Sequence, residues 1–173
     1  MKSLALLSIV FFLNTSISGQ NVFKSSNYGY SFILPDGWRI KNKIIMPDTD
    51  AKIVDDRGNS FIVTIKPLPK QYKNISSVKL LSAASDQELL NIWTPAYNES
   101  YILRRGATFI GGKEFYFVHV SCPFEGRLRL IHKMFMYNYN GNSISIDCAS
   151  ISSMTEETSV YFDVMLSTFK FNK

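Results

Sequence analysis

Apolar and polar positions alternate along the second half of this chain, and turn signals cut the alternation into four segments. Ser100–Ile110 reads as a strand, and Gly111-Gly112 as a two-residue hairpin turn. Lys113–Cys122 is the next strand, followed by a turn around Pro123 to Gly126. Arg127–Tyr139 runs into Asn140-Gly141, a strong short hairpin signal, and Asn142–Ile151 completes an antiparallel meander. Two stretches carry helical spacing instead. In Ser76–Trp93 the apolar points are Val78, Leu81, Leu89, Leu90 and Trp93. Ser85-Asp86-Gln87-Glu88 is a capping signal that splits this stretch in two, and Thr94-Pro95 ends it. Thr155–Phe169 is the second, with Ser153 and Glu156 at capping-box spacing. Ser159, Asp163, Ser167 and Lys170 form its polar stripe, and the wide apolar remainder predicts close packing on the sheet.

The first half is less regular. Tyr28–Leu34 is rich in strand formers and ends at the turn Pro35-Asp36-Gly37 before Trp38. Ile44–Met46 and Lys52–Val54 are short strand candidates, Asp55–Asn59 is a turn, and Ser60–Lys66 is a strand stopped by Pro67. Residues 1–19 differ from all of this. Lys2 precedes the ten-residue apolar run Leu4–Leu13, and Ser16 to Gly19 supply small residues for cleavage. That is the pattern of a secretory signal peptide, too short to span a bilayer. The expectation is therefore an exported protein, periplasmic or secreted, with no transmembrane anchor and one domain over 20–173.

Hairpin geometry proposes a register. A two-residue turn at Asn140-Gly141 sets Tyr139 opposite Asn142, Phe135 opposite Ile146 and Lys133 opposite Cys148. Pairing Cys122 with Leu128 across the middle turn sets Lys133 opposite Phe117. Phe115, Phe117, His119, Ile131, Phe135, Tyr137, Ile144, Ile146 and Cys148 then share one face. Tyr116, Val118, Val120, Leu128, Leu130, Met134, Met136 and Ala149 share the other. Two apolar faces predict cover on both sides, by the Ser76–Trp93 region and the C-terminal helix, with the N-terminal strands extending or flanking the sheet. The same register holds Cys122 and Cys148 about 17 Å apart. A disulfide needs Cα atoms within about 7 Å, so two buried free thiols are expected.

Charge adds one feature. The net charge is +5, with mostly dispersed basic residues. Arg39, Lys41 and Lys43 would form a basic row on one strand face, either a solvated face or a contact for an anionic partner. No nucleic-acid motif is present.

Candidate chemistry is sparse. His119 and His132 are the only imidazoles, and the register sends them to opposite faces; there is no G-x-S-x-G elbow. His119 and Cys122 point to opposite faces, and His132 with Asp147 supplies only two ligands, so no metal site is read. Asp48, Asp50, Asp55 and Asp56 read as solvated turns, not a calcium loop, and Glu156-Glu157 suits a helix first turn. Trp38 reads as a packing residue. Tyr137 and Tyr139 lead into the Asn140-Gly141 tip as a candidate contact surface. No catalytic residue and no cofactor are assigned. Asn74 and Asn98 head glycosylation sequons, relevant only in a eukaryotic source.

Tyr28-Gly29-Tyr30-Ser31-Phe32-Ile33-Leu34-Pro35-Asp36-Gly37-Trp38 resembles the start of PsbP-like domains, where an aromatic strand runs into a Pro-x-Gly-Trp turn. The four-stranded meander and the terminal helix ending Leu166-Ser167-Thr168-Phe169 are similar to that family too, so the resemblance spans nearly all of 20–173. It implies an α+β fold, an α/β/α sandwich around a central antiparallel sheet. Namesake members are extrinsic subunits of photosystem II, and others are small binding or assembly factors. It implies no catalytic motif and no site residue. The resulting expectation is an exported, non-catalytic binding or accessory protein that contacts another envelope or secreted protein. Arg39, Lys41, Lys43, Tyr137 and Tyr139 are its candidate contact residues. A cell-envelope hydrolase using a carboxylate and bound water, and a module binding anionic envelope polymers, stay open as alternatives.

Overall fold

The computed structural model describes residues 21–41, 47–95 and 97–172. The expected signal peptide, the strand candidate Ile44–Met46 and Lys43 lie outside the described residues. The described strands are β1 (Val22–Lys24), β2 (Tyr30–Ile33), β3 (Arg39–Ile40), β4 (Thr49–Val54), β5 (Ser60–Pro67), β6 (Tyr101–Ile110), β7 (Lys113–Pro123), β8 (Arg129–Tyr139), β9 (Asn142–Ile151) and β10 (Lys170–Phe171). The helices are α1 (Ser77–Ser82), α2 (Asp86–Trp93) and α3 (Thr155–Thr168). Strands β3 to β9 form one antiparallel sheet in the order β3-β4-β5-β9-β8-β7-β6, and β1-β2-β10 form a small separate one.

The expected sandwich is present. On one face of the large sheet lies a layer made of α3 and the small sheet. Phe32, Phe61, Phe135, Phe162, Met165 and Phe169 close the core there. Burying side chains of this size contributes about 1.5–3 kcal/mol each, which is why this layer anchors the fold. Trp38, directly after the turn at Gly37, packs edge-on against Phe162 at 5.5 Å, as a packing residue should. On the opposite face α1 and α2 cover a second core of Leu81, Leu89, Tyr116, Val118, Val120, Cys122 and Met134. The two helices divide at Ser85, whose side chain and that of Glu88 make the reciprocal capping box predicted for them. Arg105 ties the start of α2 to β6, bonding the Ala84 carbonyl at 2.6 Å and pairing with Asp86 at 3.1 Å.

Four expectations change. The middle hairpin is two residues out of the predicted register: Cys122 faces Leu130, so Lys133 lies opposite His119 instead of Phe117. The loop closes through the Phe124 amide on the Leu128 carbonyl, with Gly126 left-handed, and strand pairing begins only at Pro123 and Arg129. An even shift keeps every side chain on its predicted face. The Asn140-Gly141 hairpin matches, with Tyr139 opposite Asn142 and Lys133 opposite Cys148, and Gly111-Gly112 is the two-residue turn expected, with Ile110 opposite Lys113.

Second, helices α1 and α2 cover only the β6–β8 part of their face. Beyond it, Thr64, Ser143, Ser145 and Asp147 are half-buried and Lys66 exposed, with Thr64 directly across from Ser145. Third, α3 begins after a 3-10 turn at Ser152–Met154, and Ser153 makes no cap hydrogen bond. The helix buries only Thr158, Phe162 and Met165, while Val160 is 63% exposed, so its apolar face is narrower than predicted. Fourth, Asp55 is buried, not solvated. Its carboxylate accepts from the Asn59 amide at 2.9 Å, from Asn59 Nδ2 at 2.7 Å and from the Arg57 amide at 2.9 Å, and so builds the turn.

A cleft between α3 and the end strands of the sheet

The corrected register assembles one row of side chains across three strands. Arg104 of β6 lies opposite His119 of β7, which lies opposite Lys133 of β8. The row continues as Cys148 and Phe61, where α3 covers it and it turns apolar. At the β6–β8 end it stands in a cleft of about 380 Å³, lined also by Thr108, Ile110, Phe117, Phe135, Asp163 and Leu166.

Phe117 forms the centre of the floor. It packs so closely over Gly106 that a Cβ there would come within 3.2 Å of the ring. The Arg104 guanidinium lies over the Phe117 ring at 5.3 Å, a cation–π arrangement. Phe117 also packs against His119, with ring centroids 5.1 Å apart. His119 is 9% exposed. Burial, then the charges of Arg104 and Lys133, push its pKa down to about 4. The imidazole is therefore neutral near pH 7. Its Nδ1 accepts from Arg104 Nε at 3.2 Å, which places the ring proton on Nε2. Lys133 donates from Nζ to Ser159 Oγ at 3.0 Å. Among the described residues neither Arg104 nor Lys133 enters an ion pair. The row thus presents two cations flanking a neutral donor, on aromatic walls. Such a surface can hold an anion.

His132 sits on the other face, as its strand position requires. Its Nδ1 contacts both Asp147 carboxylate oxygens at 3.0 Å, the diagonal pairing anticipated from the sequence. Burial opposes protonation there, but the Asp147 charge and hydrogen bond prevail, and the pKa is raised. Nε2 is buried without a partner among the described residues. No grouping of three or more His, Cys, Asp or Glu side chains suited to a metal occurs among the described residues. Cys122 and Cys148 are free and buried, in the cores on opposite faces of the sheet.

Among the described residues, the basic and the aromatic residues singled out by sequence do not come together in one surface. Arg39 is exposed and its guanidinium is engaged by Asp56. Lys41 is exposed, its amide bonding the Lys52 carbonyl. Tyr137 and Tyr139 are half-buried, stacked on each other at 6.1 Å and packed on Phe171 at 5.7 and 5.1 Å. Strands β4, β5 and β9 separate them from Arg39. Arg104, the mouth of the cleft, drew no attention in the sequence. Only the correct middle-hairpin register reveals it opposite His119.

No protein-family model matches the chain, and no curated protein sequence matches it. Solved structures do. The solution structure of cyanobacterial PsbP from Synechocystis superposes with a TM-score of 0.66 at 16% identity, over 91% of this chain and 95% of that one. Yeast Mog1p, described as a Ran-binding protein, gives 0.60 at 10% identity over 88% of this chain and 95% of its own. LpqN of Mycobacterium tuberculosis, described as involved in cell envelope biogenesis, gives 0.59 at 11% identity over 89% and 91%. Among the described residues no helix is long and apolar enough to cross a membrane. The PsbP-like resemblance read from the sequence holds at the level of the fold: this chain has the α+β architecture shared by cyanobacterial PsbP, Mog1p and LpqN.

Proposed function

We propose that this is an exported, non-catalytic binding protein that contacts another envelope or secreted protein along the free edge of β6. The observation that carries this reading is the edge itself. Strand β6 is ten residues long and ends the large sheet, so one side of its backbone has no strand partner among the described residues. Tyr101, Leu103 and Phe109 along it are 50%, 51% and 73% exposed. A bulge at Leu103 interrupts its pairing with β7, but Arg104 to Ile110 run regularly. Unpaired amides and carbonyls beside apolar side chains are what strand-addition partners recognise.

Three further points support the reading. The apolar leader of residues 4–13 fits export. The fold is one on which a Ran-binding protein and an envelope-biogenesis protein are also built. The cleft imidazole is ill suited to act as a base, because Arg104 occupies its Nδ1 lone pair and Nε2 carries the proton. The row of Arg39, Lys41 and Lys43, and the pair Tyr137 and Tyr139, remain the competing contact surfaces. Engagement of Arg39 by Asp56 and packing of the tyrosines on Phe171 weigh against them.

The test is photocrosslinking in native cells from a reactive amino acid at Phe109, at Arg39, or at Lys24 on the small sheet. One dominant protein captured from Phe109 alone is expected. Capture from Arg39 instead would move the interface to the basic row, and equal yields from all three positions would overturn the edge.

A further inference from the structure

We propose that the cleft between α3 and the β6–β8 end of the sheet binds a small amphipathic monocarboxylate. The carboxylate sits between Arg104 and Lys133, and the apolar body lies on Phe117, Phe135 and Leu166. This goes beyond the protein-binding reading and does not depend on it.

Geometry comes first. Arg104 and Lys133 flank His119 on its two neighbouring strands, and adjacent strands run about 4.8 Å apart. The two cationic stems therefore rise about 10 Å apart, a span that long side chains close around a group as small as a carboxylate. Charge comes second. Both cations lack an anionic partner among the described residues, and both disfavour a proton on the imidazole between them. An anion relieves that mutual repulsion, and the neutral Nε2–H adds a hydrogen-bond donor to the same row. Arg104 uses Nε on His119, which leaves its terminal guanidinium nitrogens for a carboxylate.

The lining sets the ligand's other half. Phe117, Phe135, Ile110 and Leu166 are apolar, and about 380 Å³ falls within the size range of small-molecule sites. Asp163 stands on the same wall. Its negative charge disfavours dianions such as phosphate monoesters, which is why the head is assigned as a single carboxylate.

The probe is 3-phenylpropionate, read by amide chemical shifts of the full domain, with 3-phenylpropionamide, acetate and phenyl phosphate as comparisons. Shifts at Arg104, Phe117, His119 and Lys133 are expected, with the amide and acetate each binding about tenfold more weakly. Lys133→Gln should weaken 3-phenylpropionate about tenfold, whereas Lys24→Gln should leave it unchanged. Arg104→Gln is a second variant, should Lys133→Gln disturb the α3 contact through Ser159. Equal binding of acid and amide, tighter binding of phenyl phosphate, or shifts scattered away from the row would overturn the assignment. So would the absence of any shift at millimolar 3-phenylpropionate. Phe109 also borders the cleft, but its crosslink reads a captured protein whereas these shifts read a small acid, so the two proposals fail separately.

Discussion

The Tyr30 hydroxyl donates to the Asp50 carboxylate at 2.6 Å, joining the small sheet to the large one. Asp50 is the extra residue of a bulge: Thr49 faces Thr64 and Ala51 faces Val63, leaving Asp50 without a partner on β5. The bulge re-aims its side chain toward the core layer, where Tyr30 is fully buried among Phe23, Phe32 and Phe169. Burial first, then Asp50, raises the Tyr30 pKa, so the phenol stays protonated as donor. Tyr30→Phe should keep the stacking and lose about 1–2 kcal/mol, read as a lower urea midpoint with an unchanged slope. No change in midpoint would show that water replaces the bond.

Gly111 allows a close approach at the first hairpin. Its φ is +56°, and a Cβ there would meet the Phe169 carbonyl oxygen at 2.7 Å. Gly111→Ala combines left-handed strain with a backbone clash and should cost about 2–4 kcal/mol. Gly112 is also left-handed, but its Cβ would meet nothing within 4 Å. Gly112→Ala should cost only about 1 kcal/mol, and a reversed ranking in urea denaturation would contradict the Phe169 contact.

The two histidines should titrate in opposite directions. His119 falls to about 4 from 6.5, so between those values the unfolded chain binds a proton that the native one refuses. Its contribution is complete above pH 6.5 and is lost as pH drops toward 4, by about 2–3 kcal/mol. His119→Gln should flatten that loss in urea midpoints measured at pH 7 and pH 4.5. For His132 the pKa is raised, so its contribution is present below 6.5 and lost as pH rises through the native value. Asp147→Asn should bring that pKa down below the ordinary range, because burial then acts alone. An imidazole NMR titration that leaves His132 unmoved would contradict the pairing.

Both thiols should be silent in the native protein. Burial pushes up the pKa of each, most strongly at Cys148. A thiol reagent should react slowly with the folded, unreduced protein and titrate two groups once it unfolds. Finding none after unfolding would mean a disulfide, which two cores on opposite faces of the sheet do not allow.

Much of this architecture was legible from alternation and turn chemistry. Gly111-Gly112 and Asn140-Gly141 each permit one short loop, so both turns and the register after Asn140-Gly141 followed directly. The turn after Cys122 has several closures, and its length depends on the Phe124–Leu128 hydrogen bond and on Gly126. That ambiguity moved one strand by two residues. Face assignment survived because the side-chain period is two, but the row of Arg104, His119 and Lys133 was hidden. Ser153 and Glu156 had the spacing of a capping box, yet Ser153 is absorbed into a 3-10 turn instead. Asp55 looked like a solvated turn residue because nothing local reveals that Asn59 folds back and buries its carboxylate.

The small sheet places β10 beside β2, with Lys170 opposite Ser31 and Phe171 opposite Tyr30. The Asn172 amide then bonds the Gly29 carbonyl at 2.6 Å. An early strand therefore gains its second neighbour only when the last described residues arrive. Before β10 docks, β2 is paired on one side only, by β1. The small sheet is thus closed by a pairing between segments far apart in sequence, the kind of contact whose loop-closure entropy must be met before it forms.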